Sequence, residues 1–246
     1  MSSTATATRP VEPPGSGFEP TPPTSARRRG LIRLVVALLV LGLVAGGIWL
    51  AFFSAALSAR QVAVRGEREL TADQVRAAAA VELGRPMLRQ DVKDIATRTV
   101  TLPAVESASV TRSWPNTITV TVVERRPLLA VRQPYGFLLV DKSGVGFRTS
   151  PSVPGGVSVV DANPDNRPLL TDIGAVARAL PGKLSSRVTT IRATTTDDIS
   201  LVLKSGVTVR WGNSSESKLK ADIVTVLIKK HPRTIDVSSP HNPTTR

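Results

Sequence analysis

The chain has 246 residues, no cysteine and a formal net charge of +13 at pH 7. Because it lacks cysteine, it can form neither disulfides nor a metal site with thiolate ligands. Hydrophobic residues make up 41% of the chain and aromatic residues only 4%, so a folded core must consist mainly of valine, leucine, isoleucine and alanine.

Residues 1–30 are predicted to form a disordered tail. Serine, threonine, alanine, proline and glycine dominate this stretch. Such a composition buries too little apolar surface to offset the conformational entropy that is lost on folding.

Residues 31–53 are predicted to form a transmembrane helix. The stretch consists almost entirely of apolar residues and glycine. At the helical rise it extends roughly 34 Å, which exceeds the ~30 Å hydrocarbon core of a bilayer. Ser54, Ala55 and Ala56 resemble a signal-peptide cleavage site, but signal peptides have a shorter apolar region of about 7 to 15 residues. We therefore interpret the stretch as a single-pass anchor, with a cleaved signal peptide as the alternative.

Basic residues before the span predict its orientation. They precede or begin the apolar stretch, whereas the first basic residue after it is Arg60. Short loops rich in lysine and arginine stay in the cytoplasm, so we expect the N-terminus there and the chain beyond residue 53 outside. The membrane-orientation residues are Arg27, Arg28, Arg29 and Arg33.

The part of the chain after residue 53 is basic. The arginines and glutamates before residue 54 account for +3 of the net charge, so the remainder carries +10. A basic surface can bind nucleic acid, lipid headgroups or acidic polymers. A domain outside the cytoplasm does not meet chromosomal DNA, and no basic strand interleaved with aromatic residues is present. We expect a solvated basic surface near membrane lipid, with neither nucleic acid nor a small-molecule substrate as a ligand.

The first folded module begins with a strand and a helix. Alternating valines in residues 61–65, followed by Gly66, predict a strand and a turn. Thr71 and Gln74 have the spacing of a capping box, which predicts a helix over residues 72–82.

A second helix and two strands complete this module. Asp91 is predicted to cap the helix, and residues 105–112 and 117–124 are predicted strands. The order strand, helix, helix, strand, strand predicts an α+β module with both helices on one face of the sheet. In the last strand, buried positions are expected to alternate with exposed ones. The expected buried residues are Ile118, Val120 and Val122, and the expected exposed residues are Thr117, Thr119 and Thr121.

The second module is predicted to be rich in β-structure. Residues 137–147 predict a hairpin with its turn at residues 141–144. Further strands are predicted at residues 157–160, 188–192, 199–203, 207–211 and 234–237.

Two helices are predicted within the second module. Asp172 is expected to cap the first, and Asn213 with Glu216 to begin the second. In the second helix, apolar side chains are expected to face the sheet and lysines to face water. The apolar residues are Leu219, Ile223, Val226 and Leu227, and the lysines are Lys218, Lys220, Lys229 and Lys230.

The sequence predicts no catalytic, cofactor-binding or metal-binding residues. His231 and His241 lie beside prolines, with no third group at the spacing of a metal site or a catalytic triad. Gly144 and Gly146 lack the third glycine and the following helix of a dinucleotide-binding motif. We therefore expect no cofactor and no enzymatic activity.

The order of these features resembles the FtsQ/DivIB family of bacterial cell-division proteins. The first module carries the resemblance in V-A-V-R-G, L-T-A-D-Q-V, G-R-P-M-L, Q-D-V and L-P-A-V-E-S-A-S-V-T-R-S-W-P-N-T-I-T-V-T-V-V-E-R-R-P, and the second in F-L-L-V-D-K-S-G-V-G-F. The resemblance implies an α+β fold: a single transmembrane helix, a POTRA domain of β-α-α-β-β order, and a β-rich domain with flanking helices. The implied boundaries are residues 1–30 for a cytoplasmic tail, 31–53 for the transmembrane helix, 58–126 for the POTRA domain, 127–240 for the β-rich domain and 241–246 for a C-terminal tail.

The resemblance also implies a role and partners. It implies a non-enzymatic scaffold in the cell membrane at the division septum, which binds FtsB- and FtsL-type division proteins outside the cytoplasm and helps to assemble or control septal wall synthesis. The final predicted strand has no later strand to pair with, and such an open edge can accept an extended segment of a partner. The candidate partner-binding residues are Thr234, Ile235, Asp236, Val237 and Ser238.

Two other classes of protein are alternatives. A POTRA-type assembly factor or chaperone of the cell envelope would contain repeated POTRA modules or a membrane barrel, whereas this sequence predicts one module and no series of barrel strands. A membrane-anchored wall hydrolase would need a nucleophile or a metal constellation, and neither is predicted.

Overall fold

The structure, a computed structural model, describes residues 24–246. These residues form two compact units that divide between Phe53 and Ser54. The first unit is a single α-helix, α1 (Thr24–Phe53). Its segment Gly30–Leu50 is long and apolar enough to cross a membrane, and it is the one such helix in the described part of the chain. The prediction of one apolar helix of membrane-spanning length is confirmed.

Helix α1 begins earlier than the predicted span. It starts at Thr24 and not at residue 31, so residues 24–30, which were assigned to the disordered tail, are helical. A membrane helix needs no apolar residues where it leaves the hydrocarbon, and alanine and arginine both favour helical backbone. The rest of the predicted tail, residues 1–23, lies outside the described residues.

Residues 61–124 fold in the order predicted for the first module. The elements are β1 (Gln61–Arg65), α2 (Ala72–Ala79), α3 (Val92–Val100), β2 (Val105–Ser113) and β3 (Thr117–Glu124). In the sheet of these residues, β3 lies in the centre, parallel to β1 and antiparallel to β2. Val75 of α2, Ile95 of α3 and Val120 of β3 belong to one buried cluster, so both helices pack on the same face.

The start of α2 is confirmed, but its end differs from the prediction. The Thr71 hydroxyl accepts a hydrogen bond from the Gln74 N–H (3.2 Å), and the Gln74 side chain accepts one from the Thr71 N–H (2.9 Å). The helix stops at Ala79 and not near residue 82, because Ala80 is left-handed with φ +43°. The guanidinium of Arg98 on α3 donates to the Ala79 carbonyl (3.1 Å), which satisfies one of the terminal acceptors.

The threonine face of β3 is less exposed than predicted. Thr119 is only 6% exposed, and its hydroxyl lies 2.7 Å from the Ser113 hydroxyl on β2. Because β3 is the central strand, Ala63 of β1 and Thr111 of β2 flank Thr119 in register. The prediction that Thr119 points into water is wrong. Val123, four residues further along β3, is 51% exposed.

Beyond residue 124, the described chain forms one nine-stranded sheet in the order β12-β11-β10-β9-β8-β7-β4-β5-β6. Its strands are β4 (Leu129–Gln133), β5 (Gly136–Val140), β6 (Gly146–Ser150), β7 (Ser158–Asp161), β8 (Val188–Ala193), β9 (Ile199–Leu203), β10 (Thr208–Gly212), β11 (Thr234–Asp236) and β12 (Thr244–Thr245). The helices α4 (Arg167–Ala179), α5 (Gly182–Ser185) and α6 (Ser217–Leu227) accompany it. The predicted fold class, an α+β chain with a β-rich second module and flanking helices, is confirmed.

Helix α4 begins before its predicted cap. It starts at Arg167, and the Asn166 side chain accepts a hydrogen bond from a backbone N–H in the first turn (3.1 Å). Pro168 is tolerated because the first turn of a helix needs no N–H from it. The prediction that Asp172 caps the helix is wrong: Asp172 lies inside α4 and accepts a hydrogen bond from the Ser214 hydroxyl (2.7 Å).

Helix α6 buries a different face from the one predicted. Its buried residues are Ser217, Lys220, Ala221 and Val224. Leu219 and Val226 were expected to face the sheet but are 39% and 62% exposed.

Lys220 was expected to face water but is 1% exposed, and its ammonium donates to the main-chain oxygen (3.0 Å) and the side-chain oxygen (3.2 Å) of Asn213. Asn213 therefore binds Lys220 and does not cap the helix with Glu216, whose backbone is left-handed and makes no side-chain cap.

Ion pairs connect the first module to the second. The Arg125 guanidinium donates to the Asp141 carboxylate at 2.5 Å, and Asp141 is 2% exposed. Two further pairs are Lys142 with Glu106 and Arg148 with Glu69. Each pair joins a side chain of the first module to one from the hairpin of β5 and β6, so the two modules belong to one compact unit.

Candidate partner-binding site

β11 lies next to β10 towards one end of the nine-stranded sheet. The connection between the two strands contains α6, and β11 runs parallel to β10 with Val209 opposite Ile235. Parallel neighbours require such a crossover, because a tight hairpin would reverse the chain direction. Of the candidate residues 234–238, the first three therefore lie in a strand near the end of the sheet, as predicted. β11 is not the last strand of the sheet, however.

The candidate residues divide between the core and the surface. Ile235 and Val237 are fully buried, so their side chains stabilise the second module and do not reach a partner. Thr234 and Asp236 are partly exposed, and Ser238 is exposed. A partner can therefore contact the side chains of these last three residues and the backbone of β11.

The neighbours of Asp236 favour its ionised form. Burial alone would raise the pKa of its carboxyl group, but the hydroxyl and the N–H of Ser238 donate to Oδ1 at 2.7 and 3.0 Å. Arg210 on β10 lies 3.7 Å from Oδ2. The pKa of Asp236 consequently lies below its ordinary value. The surface at the end of β11 thus presents a fixed carboxylate.

The edge of β11 is covered, which contradicts the prediction of an open edge. β12 pairs with β11 in antiparallel orientation, with Ile235 opposite Thr245 and Asp236 opposite Thr244. The residues predicted to be a C-terminal tail, 241–246, therefore include a strand. The prediction failed because Pro240 and the short polar segment after it gave no strand pattern, although two consecutive β-branched threonines were a weak signal.

Arg246, the residue after β12, adds three hydrogen bonds to this edge. The Arg246 carbonyl accepts from the N–H groups of Arg233 (2.7 Å) and Thr234 (2.9 Å), and the Arg246 N–H donates to the Thr234 carbonyl (3.0 Å). Thr234 thus directs its backbone groups outward, away from β10. The N–H of Val237 instead donates to the Arg210 carbonyl on β10 (2.9 Å), inside the sheet.

The membrane-orientation arginines all lie in α1. Arg33 is exposed, and the backbone of Arg27, Arg28 and Arg29 is helical, although their side chains lie outside the described part. A helix of this kind has no intrinsic direction across a bilayer, so the orientation stays a prediction from the basic flank.

The histidines lie apart from each other. His231 borders a cleft beside the turn between β9 and β10, and the Nε2 atom of His241 lies 3.6 Å from a carboxylate oxygen of Glu216. Within the described residues, no group of three or more histidine, aspartate or glutamate side chains could hold a metal ion.

Two family descriptions match the chain. "POTRA domain, FtsQ-type" matches residues 57–125, and "Cell division protein FtsQ/DivIB, C-terminal" matches residues 130–238. The second match includes β11 and ends before β12.

Similar proteins match over most of their length. The cell division protein FtsQ of Streptomyces bingchenggensis is 38% identical over 88% of this chain and 86% of its own. FtsQ of Streptomyces venezuelae is 34% identical over 93% and 90%, and FtsQ of Mycolicibacterium smegmatis is 36% identical over 89% and 66%. Among solved structures, the major extracytoplasmic domain of the division protein DivIB from Geobacillus stearothermophilus aligns with 48% of this chain and 97% of its own, with a TM-score of 0.34 and 14% identity.

Proposed function

Since the chain belongs to the FtsQ/DivIB family of bacterial cell-division proteins, we propose that it is a membrane-anchored, non-enzymatic scaffold of the division machinery. Helix α1 anchors it in the cell membrane, and both modules lie outside the cytoplasm at the septum. There it binds FtsB- and FtsL-type division proteins and helps to assemble or control septal wall synthesis. The observation that carries this proposal is the β11 edge, whose outward backbone groups are covered by a short segment, the two-residue strand β12 and Arg246 after it.

A partner binds this edge by strand exchange. An extended segment of the partner replaces β12 and continues the sheet beyond β11, so that main-chain hydrogen bonds supply affinity and alternate side chains supply specificity. Thr234, Asp236 and Ser238 offer the side chains that such a segment meets. The buried residues Ile235 and Val237 act indirectly, because they fix the position of β11 against the core.

β12 competes with the partner for the same backbone groups. Two residue pairs between β11 and β12 and three hydrogen bonds between Arg246 and residues 233 and 234 hold this segment, and each hydrogen bond contributes a net ~0.5–1.5 kcal/mol. Ordering the segment costs about 1–2 kcal/mol per residue, which offsets much of this gain. The net advantage of closing the edge is therefore small, and a longer partner strand displaces β12.

Deleting residues 243–246 is expected to strengthen partner binding about tenfold, since removal of the competitor restores roughly 1.4 kcal/mol to the partner. The measurement is the dissociation constant for the ectodomain of an FtsB-type partner, determined by biolayer interferometry with the full chain in nanodiscs. Unchanged affinity after the deletion would show that the partner does not use this edge and would direct the search to the surface of the first module.

A proline substitution locates the contact within the edge. In the truncated chain, Thr234→Pro removes an N–H that faces the partner, at the first position of a strand, where proline is tolerated, and binding should weaken. Val237→Pro is not a suitable test, although an open edge would tolerate it, because its N–H holds β11 on β10. Unchanged circular dichroism of the Thr234→Pro protein serves as the folding control, and full affinity in a folded protein would exclude this register.

The orientation of α1 has its own test. Alkaline phosphatase, which is active only outside the cytoplasm, should be active when fused after Arg246 and inactive when fused at residue 23. Protease added to intact spheroplasts should remove both modules and leave a short protected N-terminal fragment. A mature protein that begins near residue 57 and is released from the membrane would contradict the anchor.

A further inference from the structure

A basic cleft lies at the end of the second module, beside the start of β11. It has a volume of about 700 Å³, and none of the residues that line it is acidic. Three chain segments meet there: the connection from α5 to β8, the turn between β9 and β10, and the connection from α6 to β11. The lining residues with a charge or an imidazole are Arg187, Lys204, His231 and Arg233.

Main-chain hydrogen bonds fix the segments that carry these residues. The N–H of Lys204 donates to the carbonyl of Arg187 (2.8 Å), and the N–H of Thr208 donates to the carbonyl of Arg233 (3.2 Å). His231, which follows the short turn of helix at residues 228–230, has a left-handed backbone conformation with φ +54°. The basic side chains therefore extend from a fixed backbone, although the side chains themselves are exposed.

Three of these cations have no ion-pair partner in the described part of the chain. Several arginines of this protein form ion pairs, as Arg125 and Arg148 do. Arg187, Lys204 and Arg233 form neither an ion pair nor a side-chain hydrogen bond with any described residue. Like charges gathered in one concave site repel each other, and an anion bound between them relieves that repulsion.

We propose that this cleft binds a phosphate-bearing ligand, a diphosphate or a phosphodiester. Guanidinium groups bind phosphate oxygens through paired N–H donors, and a lysine ammonium adds a point charge. A phosphate ester or diphosphate presents several acceptor oxygens, so donors from all three segments can bind it. A single carboxylate has only two oxygens and pairs with one guanidinium group. Val207, Ile228 and Pro232 form an apolar wall, which suits the organic group that carries the phosphate, and the volume is typical of small-ligand sites.

The ligand has two possible sources, a soluble diphosphate or the headgroup of an anionic phospholipid, and two probes distinguish them. Inorganic pyrophosphate represents the first source and glycerophosphoglycerol, the free headgroup of phosphatidylglycerol, the second. Both are titrated calorimetrically into the full chain in phosphatidylcholine nanodiscs at low salt. Binding of either probe at the cleft supports the proposal, and the tighter probe identifies the source. Tighter binding of a hexaglutamate peptide, or binding of no probe, would overturn it.

A matched pair of double variants tests whether the cleft is responsible. Lys204→Ser with Arg233→Ser removes two cleft cations and should weaken binding of the preferred probe at least about tenfold, because charge-assisted hydrogen bonds are lost. Arg65→Ser with Lys93→Ser removes the same charge from exposed positions of the first module and should change affinity less than about twofold. Equal losses in both variants would mean non-specific attraction and would refute the site. Circular dichroism checks that each variant is folded.

Discussion

Replacing Val120 with aspartate is expected to unfold the first module. Val120 is fully buried in the central strand β3, opposite Val64 of β1 and Val110 of β2. The substitution removes a buried apolar side chain, which is worth about 1.5–3 kcal/mol, and places a carboxylate in an apolar cluster. The free energy of unfolding should fall by more than about 4 kcal/mol, which is much of the stability of a small module. Urea unfolding of residues 54–246, followed by circular dichroism, measures this loss.

Val123→Lys is the matched control for this substitution. Val123 lies on the same strand but is 51% exposed, so a lysine there keeps its charge in water. The free energy of unfolding should change by less than about 0.5 kcal/mol. Thr119, which the alternation alone would recommend as the control, is unsuitable because it is 6% exposed. Equal damage from both substitutions would show that the register of β3 is wrong.

Structural features formed by residues that are close in sequence were predicted well. The capping box of Thr71 and Gln74 joins residues three positions apart, and Asp91 caps α3 through the N–H groups of Lys93 and Asp94. The alternation that buries Val120 also follows from the local period of a strand. These features depend on the local chain, so the sequence alone contains the information that determines them.

The face of α6 could not be predicted in the same way. The apolar spacing of Leu219, Ile223 and Val226 favours one phase of the helix, but the structure adopts another. The indole N–H of Trp211 donates to the Ser217 hydroxyl (3.1 Å), and Asn213 supplies both acceptors for the Lys220 ammonium. Polar side chains can be buried when partners from another element satisfy them. No hydrophobic pattern reports such partners.

The candidate site was predicted in part. The position of residues 234–238 close to the end of the second sheet follows from their place after the last helix and from the resemblance to FtsQ/DivIB proteins. The covering strand was missed because two threonines are too short a segment to show a period. The direction of each backbone group, outward at Thr234 and inward at Val237, depends on the register between β10 and β11. That register appears only when the sheet is assembled.

Asp141→Asn is expected to weaken the connection between the two modules and to lower the free energy of unfolding by about 3 kcal/mol, because breaking a buried pair leaves an uncompensated charge. The Asp141 carboxylate is 2% exposed and accepts the Arg125 guanidinium (2.5 Å). It also accepts the N–H groups of Ser143 (2.8 Å) and Val145 (2.9 Å). Asparagine keeps one acceptor oxygen for the two N–H groups but presents no charge to Arg125. Urea unfolding of residues 54–246 at pH 7 measures the loss.

The same pair predicts a dependence on pH. Burial alone would raise the pKa of the Asp141 carboxyl, but the hydrogen bonds from Val145, Arg125 and Ser143 hold it below its ordinary value. A carboxyl group whose pKa is lower in the folded state stabilises the fold above its unfolded pKa, about 3.9 for aspartate, and the stabilisation is lost as the pH falls through the folded pKa. The difference in unfolding free energy between the original protein and Asp141→Asn should therefore be constant from pH 7 to about pH 5 and should shrink below about pH 4.

Asp161→Asn separates this effect from the general loss of an ion pair. Asp161 lies 3.9 Å from Arg192, and both side chains are more than half exposed. Exposed pairs contribute little because water and salt screen them, so this variant should change the free energy of unfolding by less than about 0.5 kcal/mol. Both variants remove one negative charge from a protein that is already basic, so a general charge effect would shift them alike. A large loss in Asp141→Asn alone, and one that disappears in acid, would assign the stabilisation to the buried carboxylate between the modules, whereas similar values for the two variants would contradict it.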